Sequence, residues 1–73
     1  MSAPNGQFER VIKNRNGRYY AGGGVWTADA GEAKVFDDLS LAFEAAHEAG
    51  LENCFIIVFR KGPREVDAQF PIP

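Results

Sequence analysis

The hydrophobic pattern of this 73-residue chain changes period twice. Between residues 38 and 49 it is helical: Leu39, Ala42, Phe43, Ala46 and Ala49 fall on one side at 3.6 residues per turn, with Ser40, Glu44, His47 and Glu48 on the other. Asp38 precedes the run, where its carboxylate can accept the free amide hydrogens of a first helical turn. Gly50 follows it and takes without penalty the left-handed conformation that ends a helix. The pattern predicts a helix from Asp38 to Ala49, a link over Leu51–Asn53, and then a continuous apolar run, Cys54–Phe59. That run is too short for a helix and too apolar for a strand at an edge, so it is expected inside a sheet. Its residues alternate between two faces, with Cys54, Ile56 and Val58 on one and Phe55, Ile57 and Phe59 on the other. One helix covers only one of these faces.

Around this helix and strand the pattern is that of short strands. Phe8 to Arg15 reads as a strand, Asn16-Gly17 as a two-residue type I′ turn, and Arg18 to Trp26 as the returning strand. This places Ile12 opposite Ala21, Lys13 opposite Tyr20 and Asn14 opposite Tyr19. Gly22–Gly24 interrupts the second strand and marks a bulge, a bend or a close approach; a phosphate cradle is the functional alternative, without the spacing of a known phosphate loop. Thr27 or Asp29 caps one helical turn reaching Ala33, with Asp29 and Glu32 at capping-box spacing. Lys34–Phe36 is a short third strand, and Arg60–Pro63 a turn. Val66, Ala68 and Phe70 alternate with polar residues, so the tail reads as a fifth strand or as a cover for Phe55 and Phe59. Residues 1–7 are polar and expected to be disordered. The expected fold is α+β: a small curved, mostly antiparallel sheet of four or five strands with one main helix on one face. A single domain spans residues 8–61 and a tail or edge strand 62–73, with strand order 3-2-1-4 and the tail outside the fourth.

At 8.0 kDa such a chain buries roughly 7,000 Å² on folding, about 60% of its unfolded surface. One cysteine and one histidine exclude an intrachain disulfide and the common zinc frameworks. No apolar stretch approaches the roughly 20 residues that span a bilayer, so a cytoplasmic protein without membrane contact is expected. The net charge of −2 hides an asymmetry. Arg10, Lys13, Arg15 and Arg18 make the hairpin basic, whereas residues 28–52 carry seven acidic side chains against Lys34.

The residues Tyr19–Thr27, Asp29, Ala33–Phe36, Ala42, Ala45 and Ala46 form a pattern that resembles small bacterial and phage domains built as a curved sheet with one helix. The resemblance covers Phe8 to Phe59 and implies an α+β fold. It brings no activity or site residues with it.

No catalytic, cofactor-binding or metal-ligating residue is assigned. His47 lacks an adjacent nucleophile and an orienting group, Cys54 begins an apolar strand as a small buried hydrophobe, and Asp37-Asp38 reads as a helix cap and its neighbour. The expectation is therefore a non-enzymatic domain without cofactor that binds a protein partner or itself, through Phe55, Phe59 and Phe70. The alternative is nucleic-acid binding through Arg10, Lys13, Arg15, Arg18, Tyr19, Tyr20 and Trp26, the cations and rings of a surface that tracks a charged backbone.

Overall fold

The computed structural model describes residues 8–60 and 65–73. Among these, five strands form one antiparallel sheet and one α-helix lies on one of its faces, an α+β architecture. The strands are β1 (Phe8–Asn14), β2 (Tyr19–Gly22), β3 (Val25–Thr27), β4 (Cys54–Arg60) and β5 (Val66–Ile72), in the order β3-β2-β1-β4-β5. The helix α1 (Leu39–Glu48) and a 3-10 turn (Ala30–Glu32) lie between β3 and β4. The segment 1–7 and residues 61–64, which include all of the expected Arg60–Pro63 turn but Arg60, lie outside the described residues. Arg60 N–H donates to Glu65 C=O at 3.0 Å.

The β1–β2 hairpin departs from expectation by one residue. Lys13 pairs with Tyr19, and Asn14 N–H donates to Arg18 C=O, so the loop is the three residues Arg15–Gly17. Asn14 causes the shift. Its side-chain oxygen accepts from the Asn16 and Arg18 amides at 2.9 and 3.0 Å, which favours a turn starting at Asn14. Gly17 alone in the loop takes positive φ, +82°, as the three-residue hairpin requires. Ile12 and Tyr20 consequently share a face.

The expected second strand is two strands. Gly22, Gly23 and Gly24 all have positive φ and reverse the chain, and Gly24 N–H donates to the Tyr20 hydroxyl. Asp29 does cap the following 3-10 turn, accepting from Gly31 N–H at 2.8 Å. The reciprocal half of a capping box is replaced, since Glu32 accepts from the Thr27 hydroxyl and Thr27 accepts from Asp29 N–H. Lys34–Phe36 is not a strand. Only Phe36 bridges to β1, at Arg10, and Lys34 N–H donates to Tyr20 C=O, so the segment wedges between β1 and β2 where they part.

Helix α1 begins and ends as its sequence predicts. Asp38 accepts from Leu41 N–H at 2.9 Å. Gly50, at φ +67°, and Leu51 return their amides to His47 and Ala46, closing the last turn. Ala42 and Ala46 are fully buried because methyl groups let the helix approach the sheet closely, with Leu39, Ala45 and Leu51 packed around them. Phe43, expected on this stripe, sits at its margin and is exposed, as is Ala49 beyond the last turn. The main core joins these residues to Ile12, Tyr20, Phe36, Cys54, Ile56, Val58 and Ile72.

The tail lies beside β4 rather than over it. Pro71, which lacks the amide hydrogen an inner strand would use, sits in this outermost strand. A register shift between Val58 and Phe59 lets Val66 pair with Phe59 and Ala68 with Val58. Val66 therefore falls on the face opposite Ala68 and Phe70, against the simple alternation read from the sequence.

Candidate functional site

The helix-free face carries a second, smaller core in which Val11, Ile57 and Phe59 are buried and Tyr19, Ala33 and Phe55 pack beside them. The 3-10 turn shelters one end of this face. Among the described residues nothing covers the rest, which is an open trough: a depression of about 460 Å³ is lined by Lys13, Arg15, Tyr19, Phe55, Ile57 and Gln69, among others. A narrower one of about 160 Å³ continues it between Val11, Ala30 and Phe59, with Tyr19, Ile57 and Val66 common to both.

The register explains why cations and rings meet there. Lys13 pairs with Tyr19 on one side and with Phe55 on the other, so the three side chains rise from one face. Lys13 Nζ lies 5.4 Å from the centre of the Tyr19 ring, and the Arg15 guanidinium carbon 5.6 Å from that of Phe55. Such a cation is attracted by the ring face and keeps its outer side free for an anion. The trough thus has an apolar floor with a positive end at the hairpin and an apolar end at Val66, which is 60% exposed.

The sheet divides both groups of candidate residues. Phe55 and Phe59 share the trough face, Phe55 half-buried and Phe59 buried, whereas Phe70 packs against the main core on the helix side. Of the basic and aromatic set, Lys13, Arg15 and Tyr19 line the trough, and Arg18 is exposed where the hairpin closes. Tyr20 is buried on the helix side against Trp26, ring centres 5.4 Å apart at 62°. Arg10 donates to Asp37 C=O at 2.8 Å, which ties β1 to the entry of α1.

Val66, Gln69 and Ala30 were not legible as trough residues. Val66 reaches it through the β5 register shift, which left no mark in the sequence, Gln69 through its pairing with Ile57, and Ala30 through the short turn, whose Ala30 and Ala33 are its apolar positions.

The isolated titratable candidates have structural places. Cys54 is buried and donates its thiol hydrogen to Glu52 C=O at 3.1 Å; burial pushes its pKa up, and the Arg15 charge opposes this more weakly. Asp38 is the helix cap, and His47 is exposed in the last turn of α1. Among the described residues no three His, Cys, Asp or Glu side chains gather in one place, and no helix is long and apolar enough to cross a membrane. No family model, curated protein or solved structure matches the chain.

Proposed function

We propose that this chain is a small, non-enzymatic interaction domain of the cytoplasm that binds a protein partner through the helix-free face of its sheet. The observation that carries this reading is the open trough, in which the half-buried Phe55 and the exposed Val66 extend a buried apolar cluster to the surface. An apolar surface continuous with a core and rimmed by polar groups is the form interaction sites take. A photo-crosslinking amino acid placed at Val66 in the source cell should capture a defined polypeptide, and the same group at Ser40 on the helix should not. Equal capture from the two positions overturns the reading.

A second reading keeps the trough and changes the partner. Lys13 and Arg15 beside Tyr19 and Phe55 suit a single-stranded nucleic acid, whose bases would stack where its phosphates meet the cations. The division of the basic and aromatic set across the sheet weighs against it, because Arg10, Tyr20 and Trp26 cannot take part. Titration with an oligothymidylate decides. Amide shifts confined to the trough whose affinity falls with salt, by about 0.7 log unit per log unit for each phosphate contacted, would install the nucleic-acid reading in place of the first.

A further inference from the structure

Helix α1 presents a second incompletely covered surface, on the opposite side of the molecule from the trough. Leu41 is 45% exposed and lies in line with Glu44 and Glu48 at helical spacing. These three, with Val35, Phe36, Asp37 and Ala45, line a shallow depression of about 300 Å³. Lys34 lines it too, its ammonium 6.0 Å from the centre of the Phe36 ring. Its charge is acidic on balance, with the carboxylates of Asp37, Glu44 and Glu48 against the one cation Lys34, around the apolar Leu41 and Val35. The trough runs from apolar Val66 and Ile57 to Lys13 and Arg15.

We infer that the partner seated in the trough is a second copy of this chain, presenting the Leu41–Glu48 side of its helix. The inference rests on the proposed binding face and names its occupant. Three comparisons support it. In charge, two carboxylates meet two cations. In placement, Glu44 and Glu48 are one helical turn apart, about 6 Å, while Lys13 at the end of β1 and Arg15 at the start of the hairpin loop line one depression, over the neighbouring rings of Tyr19 and Phe55. In length, Leu41 to Glu48 spans about 10 Å of helix, and the trough from the level of Phe59 and Val66 to that of Phe55 and Lys13 spans four strand residues, about 13 Å. A two-fold contact of trough on trough would instead put two cationic clusters into one interface. The contact is therefore head to tail, and an open assembly keeps a free trough at one end and a free helix surface at the other.

Sedimentation velocity of the purified chain tests this. Association should appear toward ~1 mM, as suits a weak contact, and should weaken as salt shortens the Debye length from about 30 to 3 Å. Lys13→Glu with Arg15→Glu should weaken it about tenfold or more, and so should Glu44→Lys with Glu48→Lys. Mixing the two folded variants in equal amounts should restore association, because an acidic trough then meets a basic helix and a basic trough an acidic helix. The single changes Arg15→Glu and Glu48→Lys serve the same mixing test should a double variant fail to fold. A wild-type chain that stays monomeric, or variants that do not rescue each other, overturns the inference. In that event, capture of a different polypeptide at Val66 still upholds the trough as the binding face, whereas equal capture at Val66 and Ser40 removes that reading as well.

Discussion

Replacing Phe59 with alanine tests whether the helix-free face holds a core of its own. The ring is 7% exposed and packs with Val11 and Ile57, which are 3% and 9% exposed. Truncating a ring so enclosed removes its transfer free energy and leaves a cavity, together about 3 to 5 kcal/mol. A domain of this size is stabilised by about 4 to 11 kcal/mol in all, so the variant should lie close to its unfolding threshold. Phe55→Ala should cost less, about 1 to 2 kcal/mol, because that ring already meets water along the trough. Urea denaturation followed by Trp26 fluorescence and far-ultraviolet circular dichroism measures both. With a slope of about 1 kcal/mol per molar urea, the two midpoints should differ by about 2 M. Trp26 packs on the helix side, so its fluorescence also reports whether losing Phe59 unfolds both faces together, as the shared strands β1 and β4 require. An unchanged midpoint for Phe59→Ala refutes the second core. Equal losses from Phe55 and Phe59 refute the open trough, because Phe55 would then have to be covered.

Three further outcomes follow from local geometry. Asp38→Ala removes the side-chain acceptor for Leu41 N–H and should cost about 1 kcal/mol, with faster hydrogen exchange in the first turn of α1. Asn14→Ala removes both acceptor contacts that set the hairpin register and should cost about 1 kcal/mol; the Lys13–Tyr19 cross-strand nuclear Overhauser effects should weaken, and their persistence at full strength would show that Gly17 sets the register alone. Burial raises the Cys54 pKa above its unfolded value of about 8.5, so the unfolded chain loses that proton first. Stability associated with this group is complete below about pH 8.5 and declines as pH rises through the folded value; Cys54→Ala should remove that part of the alkaline decline, and identical profiles would contradict the assignment.

The elements that proved legible are those whose signals are local and chemically singular. Asp38 and Gly50 each favour one backbone outcome, and Cys54–Phe59 is too apolar to stand anywhere but between other strands. The errors arose where a side chain or a register outweighed the backbone signal. Asn16-Gly17 is a strong two-residue turn, but Asn14 offers its oxygen to two amides and wins a three-residue loop. That one-residue change moves Tyr20 into the main core and leaves Tyr19 in the trough, which splits the basic and aromatic set. The glycine run showed that the chain must deviate, but not whether it bends or reverses. The trough was foreseeable as an uncovered face floored by Phe55, Ile57 and Phe59; that Val66 joins them was not, because the β5 register shift decides it.

The geometry of the sheet explains why this face stays open and what its cations can mean. Five strands about 4.8 Å apart make a surface nearly 20 Å wide, and a ten-residue helix about 15 Å long covers one side of it. On the other side, among the described residues, the three-residue turn shelters only the end near Val11 and Phe59. An exposed apolar surface needs charge nearby to stay soluble, and Lys13 and Arg15 supply it. Solubility is served by charge of either sign, whereas recognition of an acidic helix needs positive charge. Changing both residues to glutamate should therefore cost folding little, because the exposed Arg15 contributes only tenths of a kcal/mol and the half-buried Lys13 about 1 kcal/mol at most through the Tyr19 ring. If the cations only keep the face soluble, the reversed chain should sediment like the original. If they select a partner, its association should be lost and should return when the acidic helix of the second copy is reversed to match.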